Sequence, residues 1–257
     1  MSYSTTATDR YVLHNGSCLD VLPSIADGTV DMVMVDLPYG TTEREWDVVV
    51  PFDQLWAQYN RVCKDNAAMV FTALTPFTEK LAVSNFDNLR YKYVWIKNQA
   101  TGFMNANKMP LKNIEDVLVF YRKLPTYNPQ MRAGRPYHMV HKDPHKWDDT
   151  SVYGRTGLKA EPTVHHNEGT RHPALDLNFD VEVGYHPTQK PVALMEWLIK
   201  TYTNPGEVVL DNTMGSGTTG VAAMCSSRRF IGMEADANHF TTALERIKGA
   251  STQERMF

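Results

Sequence analysis

Cysteine is scarce in this chain: Cys18, Cys63 and Cys225 are odd in number and far apart, which argues against a disulfide framework and against a cysteine zinc site. No apolar run approaches the roughly 18 residues that a membrane span needs. Residues 1–10 are polar and Ser/Thr-rich, without the apolar core of a secretory signal. A charge excess is also missing. The 26 basic side chains face 29 acidic ones, a formal net charge of −3, which excludes a polybasic nucleic-acid coat but leaves room for a local DNA-binding face. Low-complexity tracts and internal repeats are absent, so the composition is that of an ordinary globular protein. The expectation is a soluble protein of a reducing compartment, with no membrane partner. The 257 residues, 42% of them hydrophobic, suit one α/β domain with an insertion.

The organisation follows from where periodicity appears and stops. Residues 11–37 read as strand, short helix and strand, the last nearly continuous in apolar residues from Val30 to Val35, as a strand covered on both faces would be. Helices are expected at 51–64 and 76–86, and strands at 67–73, 91–96 and 115–121, the last two separated by a polar loop with Asn105, Asn107, Lys108 and Lys112. From about 122 to 184 the chain turns irregular and rich in Pro, Gly and His. That stretch holds nine Lys/Arg against six Asp/Glu up to residue 176, and six of the nine histidines. Regularity returns at Pro191, a good first helical residue, followed by a helix to Tyr202, a strand at 207–211, a helix at 217–226, a strand at 229–233 and a helix at 236–248. Alternating elements on both sides of the irregular stretch indicate an α/β fold, a mostly parallel sheet with helices on both faces.

Asp211 is followed by a glycine-rich turn, Gly215-Ser216-Gly217-Thr218-Thr219-Gly220, that opens a helix. Glycines let the backbone approach a ligand closely, and the helix start offers free amides to an anionic group. Glu234 ends the next strand, where a carboxylate accepts hydrogen bonds from ribose hydroxyls. Taken alone, the glycines also satisfy a dinucleotide fingerprint, so a nicotinamide oxidoreductase is a competing reading. Two features favour an adenosyl cofactor. Asp211 sits where it can meet an ammonium group. His186-Pro187-Thr188-Gln189-Lys190-Pro191 opens the preceding helix, and a Thr hydroxyl, a Lys ammonium and a helix start suit an amino-acid carboxylate. Adenosine, α-amine and α-carboxylate together describe S-adenosylmethionine.

Asp36-Leu37-Pro38-Tyr39 follows a buried strand, at the carboxyl edge where ligands bind in open α/β sheets. The proline fixes the backbone between Asp36 and Tyr39. These residues suit methylation of an exocyclic amine, whose lone pair is delocalised into its ring. The Asp36 carboxylate and the Leu37 carbonyl can hold the two amine hydrogens and favour a pyramidal nitrogen aimed at the sulfonium methyl. Tyr39 offers a face on which an extruded base stacks, worth about 1–3 kcal/mol.

In this order the motifs resemble those of the DNA amino-methyltransferases of the permuted β class, and most of all the small phage- and prophage-type adenine methylases with Asp-Leu-Pro-Tyr-Gly-Thr-Thr. Leu37 stands in place of the first Pro of the family's Asp-Pro-Pro-Tyr. Residues 186–191 match its HPTQKP segment, 211–218 its DxFxGSGT segment, and Ile231-Gly232-Met233-Glu234 the segment whose acid holds the ribose. The resemblance covers about 11–123 and 184–248. It implies a circularly permuted, Rossmann-like S-adenosylmethionine-dependent fold, with a flexible N-terminus at 1–10, a catalytic half at 11–123, a target-recognition insertion at 124–184, a cofactor half at 185–248 and a tail at 249–257.

It further implies an adenine-N6 methyltransferase acting on double-stranded DNA by base flipping, of the restriction-modification type, in the cytoplasm of a bacterial or phage-infected cell, as a homodimer and without a metal. Cytosine-N4 methylation shares every motif, although relatives acting there more often carry Ser at the position of Asp36. A protein or RNA amine methylase and a cofactor-binding protein without catalysis remain further alternatives. The catalytic residues are then Asp36, Leu37, Pro38 and Tyr39. The cofactor is held by Ser17 and Cys18 near its adenine, by His186, Thr188 and Lys190, by Asp211 and Thr213, by the turn Gly215, Ser216, Gly217 and Thr218, and by Glu234. Ser17 departs from the family, which carries an Asp that accepts from the cofactor adenine. A neutral acceptor is weaker, so Asp20 or a backbone group would have to assist. For DNA, the expected contacts are Lys108, Lys112, Arg132, Arg135, Arg155 and Arg171. His138, His141 and His145 have a metal-like spacing, but Pro144 interrupts any helix that would present them.

Overall fold

The computed structural model describes residues 3–41, 47–141, 163–182, 184 and 189–253. It separates into two compact units, one formed by Met1–Asn128 with Ala174–Phe257 and the other by Pro129–Pro173.

The first unit opens with β1 (Ser4–Ala7), β2 (Tyr11–Asn15), a single helical turn α1 (Cys18–Val21) and β3 (Val30–Asp36). There follow α2 (Phe52–Val62), β4 (Cys63–Ala73), α3 (Phe77–Ser84), β5 (Leu89–Thr101) and β6 (Lys112–Phe120). The second unit holds β7 (Arg132–Ala133), β8 (Tyr137–His141), β9 (Thr163–Asn167) and β10 (Thr170–Arg171). The first unit resumes with β11 (Asp176–Asn178), α4 (Val192–Tyr202), β12 (Val208–Asp211), α5 (Thr218–Cys225), β13 (Arg229–Glu234) and α6 (Ala237–Gln253).

Nine strands form one sheet in the order β1-β2-β13-β12-β3-β4-β6-β5-β11. The run from β2 to β4 is parallel, β6 is antiparallel to both of its neighbours, and β11 is parallel to β5. Alternation within β3 explains the two core layers. Met32 and Met34 face a layer with α4 and α5, packed around Leu194, Leu198, Ala222 and Ala223. Val33 and Val35 face the opposite layer, with Leu55, Trp56 and Tyr59 of α2 and Leu81 of α3. A strand buried on both faces reads as a nearly continuous apolar run, as 30–35 does apart from Asp31.

Three expectations change. Residues 4–7, expected to lie in a flexible N-terminus, form an edge strand antiparallel to β2. A polar edge strand needs no apolar alternation, and Thr5 and Thr6 are good strand formers. The irregular stretch contains two small antiparallel ladders, β7 with β10 and β8 with β9. The second unit is also shorter than the 124–184 expected for the insertion, because Leu177 of β11 is buried in the main core and its strand extends the main sheet.

Candidate active site

Because β2, β13, β12, β3, β4 and β5 all run the same way, their carboxyl ends share one edge of the sheet, where open α/β folds place their ligands. Asp36 ends β3 and pairs in register with Thr72 of β4. The Thr72 hydroxyl donates to Asp36 Oδ1 at 2.5 Å, and the Tyr39 hydroxyl donates to the same oxygen at 2.7 Å. Lys190, just before α4, donates to Asp36 Oδ2 at 2.6 Å. Its ammonium also lies 3.1 Å from Oε1 of Glu115 on β6. Glu115 is only 3% exposed; it accepts from Tyr39 at 3.1 Å, and its Oε2 pairs with Lys97 of β5 at 2.6 Å. Carboxylates and ammonium groups therefore alternate: Lys97, Glu115, Lys190, Asp36. Mutual pairing is what makes such burial tolerable, because a lone charge there would be strongly penalised.

The electrostatics define the states of Lys190 and Tyr39. Burial alone would lower the Lys190 pKa, but the charges of Asp36 and Glu115 outweigh it and hold the ammonium above its usual range. Burial, reinforced by the same two carboxylates, pushes the Tyr39 phenol well above its usual range, so it serves as a donor. The Tyr39 ring stacks on Phe77 at 4.9 Å between centroids and stays partly exposed. Beyond it, Gly40 N–H and Thr41 N–H donate to the Asp47 carboxylate at 2.8 and 2.9 Å. That acid ties the two ends of the loop together, and residues 42–46 lie outside the described residues.

The late motif meets this turn directly. The Thr213 hydroxyl donates to the backbone carbonyl of Asp36 at 3.1 Å, and Thr213 N–H donates to Asp211 Oδ1 at 3.0 Å. Asp211 is buried at the end of β12. Burial raises its pKa to about 7, with Thr219 and the Thr213 amide opposing the shift. Glu234 accepts from Gly215 N–H at 2.9 Å and from Asp236 N–H at 2.8 Å, and burial raises its pKa. Gly217 has φ +81°, and a Cβ there would lie 2.9 Å from Ala243 Cβ. Gly215 has φ +52° and open space where its Cβ would stand. The third glycine, Gly220, lets α5 pack on Ile247 and Phe230.

Several expected ligand residues are engaged within the fold. The Ser216 and Thr218 hydroxyls both face Arg246 of α6, at 3.0 and 3.3 Å from its Nη1, so this turn offers chiefly backbone to a ligand. Cys18 is buried in the core, and its thiol titrates above its usual value because of that burial. Ser17 is exposed at the end of β2, next to Gly16, whose N–H donates to the Glu234 carbonyl at 2.9 Å. Lys190, expected at a cofactor carboxylate, is paired with Asp36 and Glu115. His186 and Thr188 lie outside the described residues, as do Arg155 and His145.

Of the expected DNA contacts, Lys108 and Lys112 are exposed at the β5–β6 hairpin. In the second unit Arg135 is exposed, while Arg132 is partly buried on β7. Arg171 is held inside that unit. It donates to Asn167 Oδ1 at 2.6 Å, to the Thr170 carbonyl at 2.7 Å and to the Arg135 carbonyl at 2.5 Å, and lies over the Tyr137 ring. His138 and His166 face each other across β8 and β9. Among the described residues no cluster of three or more His, Cys, Asp or Glu could hold a metal, and no helix is long and apolar enough to cross a membrane.

Thr72, Lys97 and Glu115 are the site residues that sequence reasoning missed. The available signal was Glu115 beside the apolar run 117–120, since a charge in an interior strand needs a partner.

A mostly parallel sheet of this order, with an acid-ended strand, a glycine turn and a second acid gathered at one edge, is the arrangement of a Rossmann-like α/β fold that takes a nucleotide-type cofactor. Residues 30–245 match the family described as DNA methylase (N6_N4_Mtase), and the chain belongs to that family. It is 24% identical over 247 residues to the Type II methyltransferase M1.MboII of Moraxella bovis, covering 90% of this chain and 94% of that relative. Over 66 residues it is 47% identical to the DNA adenine methyltransferase YhdJ of Escherichia coli (strain K12), covering 26% of this chain and 22% of that one. The fold is shared with the M1.HpyAVI–SAM complex, at TM-score 0.62 and 24% identity over 91% of this chain and 98% of that one. It is shared too with the cytosine-N4-specific PvuII DNA methyltransferase, at TM-score 0.66 and 15% identity over 96% and 93%.

The chain is thus an S-adenosylmethionine-dependent DNA methyltransferase, and the nicotinamide reading falls. Its residues fit that cofactor. Asp211 is a buried carboxylate suited to an ammonium group, each Glu234 oxygen retains acceptor capacity for a ribose hydroxyl, and Gly215 leaves the backbone uncovered.

Proposed function

We propose that this enzyme methylates the exocyclic N6 amine of adenine in duplex DNA, with the target base turned out of the helix. The observation that carries the reading is how Asp36 is held. Among the described residues Oδ1 takes two donors, while Oδ2 takes only Lys190. A carboxylate oxygen has two acceptor positions, so Oδ2 has room for one amine hydrogen, and the Leu37 carbonyl accepts the other. Holding both hydrogens draws the nitrogen lone pair out of the ring and aims it. Bound S-adenosylmethionine supplies the methyl group as a sulfonium electrophile. Lys190 pairs with Asp36 Oδ2, Tyr39 and Thr72 fix the carboxylate plane, and the Tyr39 ring offers the base a stacking surface. Asp211 holds the cofactor's ammonium group and Glu234 its ribose, with Ser17 toward the adenine. Lys108, Lys112, Arg132 and Arg135 contact DNA.

Asp36 supports adenine, because the resembling cytosine-N4 enzymes more often carry Ser there, and the named function of the YhdJ relative points the same way. The test is incubation with unmethylated genomic DNA and labelled cofactor, followed by nucleoside mass spectrometry and mapping of the modified positions. N6-methyladenine is the expected product. N4-methylcytosine would transfer the reading to that amine, and transfer to neither base would overturn it.

A further inference from the structure

From Lys97 to Ile114 the chain carries three lysines, 97, 108 and 112, and no Asp or Glu, although its overall charge is −3. This segment is the hairpin between β5 and β6. Ile96 faces Ile114 and Thr101 faces Lys112 across it, so residues 102–111 form its tip, on the same edge of the sheet as Asp36. The tip has its own backbone bonding. Gly102, at φ +92°, leads into a 3-10 turn at Phe103–Asn105. Asn105 N–H donates to the Gly102 carbonyl at 2.9 Å, Ala106 N–H to Phe103 at 3.1 Å and Lys108 N–H to Asn105 at 2.8 Å. Its large apolar side chains nevertheless stand in water: Met104 is 100% exposed, Phe103 69% and Met109 51%. Adjacent exposed apolar side chains on a turn already closed by its backbone mark a surface for a partner. The hairpin is tied to the site as well, because Lys97 pairs with Glu115, which accepts from Tyr39 beside Asp36.

We infer that Phe103 and Met104 form a wedge that enters the DNA stack and occupies the gap left by the flipped base, while Lys108 and Lys112 hold the flanking phosphates. This inference rests on the base-flipping reading above. The occupant is a duplex because the tip joins an apolar point to two exposed cations, Lys108 and Lys112, with no intervening anion, the complement of stacked bases between phosphates. Phe and Met are among the side chains that enter base steps in this way. Turning a base out costs a few kcal/mol, less when the base is already unpaired, and a side chain that fills the vacated space offsets part of that cost.

The test uses the full chain and two synthetic duplexes carrying a site at which the wild type modifies genomic DNA. One is fully paired; the other has an abasic site opposite the target. The Phe103→Ala/Met104→Ala variant should lose about tenfold or more in kcat/KM on the paired duplex and stay within about threefold of wild type on the abasic one, where the opening cost is relieved. Its unfolding midpoint should not move, since both side chains are exposed. Should the double variant lose its fold, Met104→Ala alone gives the same comparison. Equal loss on both duplexes, or no loss on the paired one, overturns the wedge. Equal loss accompanied by a change from dimer to monomer in sedimentation makes the tip a contact between copies, which overturns it too. A wild-type chain that modifies no base in either duplex fails the base-flipping reading itself, and that control reads independently of the variant.

Discussion

Lys190 Nζ lies 2.6 Å from Asp36 Oδ2, joining two residues 154 positions apart in sequence. The motif that opens α4 and the turn that ends β3 therefore share an ion pair, which Glu115 extends to Lys97. Lys190 is engaged by both carboxylates. Without it the two carboxylates would lose the cation that they share.

Lys190→Met separates the two roles open to this lysine. Held against Asp36, it should affect turnover, with kcat falling about tenfold or more and cofactor Kd changing by less than about threefold, since what is lost is positioning of a proton-accepting group. Calorimetry with S-adenosylmethionine and single-turnover methylation measure the two halves. A large rise in Kd with unchanged kcat would return Lys190 to the cofactor carboxylate.

Asp36→Ala should keep the fold and cofactor affinity while losing about 10²-fold or more in rate. Near wild-type methylation would remove Asp36 from the chemistry. Tyr39 is tested in two steps. Tyr39→Phe removes its bonds to Asp36 and Glu115 but keeps the ring stacked on Phe77, so it should lower kcat with little change in KM for DNA. Tyr39→Ala should in addition weaken engagement of the target base by about 1–3 kcal/mol, read as a rise in KM for DNA.

With Asp211 at the cofactor's ammonium group, as proposed, its raised pKa should make cofactor binding depend on pH. With a folded pKa of about 7 against an ordinary 3.8, this carboxyl binds its proton more tightly folded than unfolded. The stability it lends is fully present below pH 3.8 and is lost as pH rises through 7. An ammonium partner needs the ionised form, so binding below pH 7 must first release that proton. The apparent affinity for S-adenosylmethionine should fall about tenfold from pH 8 to pH 6, while Asp211→Asn should show weak binding without that slope. A wild-type slope equal to that of the variant would remove Asp211 from the ammonium site.

How much of this was legible depends on whether neighbours in space were neighbours in sequence. The run 30–35 announces a doubly covered strand, and Asp211, the glycines and Glu234 follow one another along strand, turn and strand, so both turns could be read from the chain. Thr72, Glu115 and Lys97 sit on β4, β6 and β5 and meet only because the sheet orders those strands β4-β6-β5. Each is one polar residue in an ordinary strand, and pairing across a sheet leaves no local pattern. Arg171 shows a different limit: an arginine in a basic stretch reads as a nucleic-acid contact, and nothing in the chain announces that part of its donor set is spent on Asn167, Thr170 and Arg135.

Two glycines of one turn should fail in different ways when given a methyl group. Both have positive φ, which costs a non-glycine residue about 1–3 kcal/mol. At Gly217 the new Cβ would also lie 2.9 Å from Ala243 Cβ and 3.0 Å from its Cα. The neighbour is largely the backbone of α6 and cannot turn aside, so Gly217→Ala should cost about 3 kcal/mol or more, as overpacking adds to strain. At Gly215 nothing lies within 4 Å of the added Cβ, so the fold should lose only the strain. The methyl group would instead stand where the backbone is proposed to meet the cofactor. Urea unfolding and cofactor titration of both variants should therefore give opposite profiles: Gly217→Ala unstable, Gly215→Ala folded but binding at least about tenfold more weakly, as expected when close backbone approach is blocked. Wild-type affinity in a folded Gly215→Ala protein would move the cofactor away from this turn.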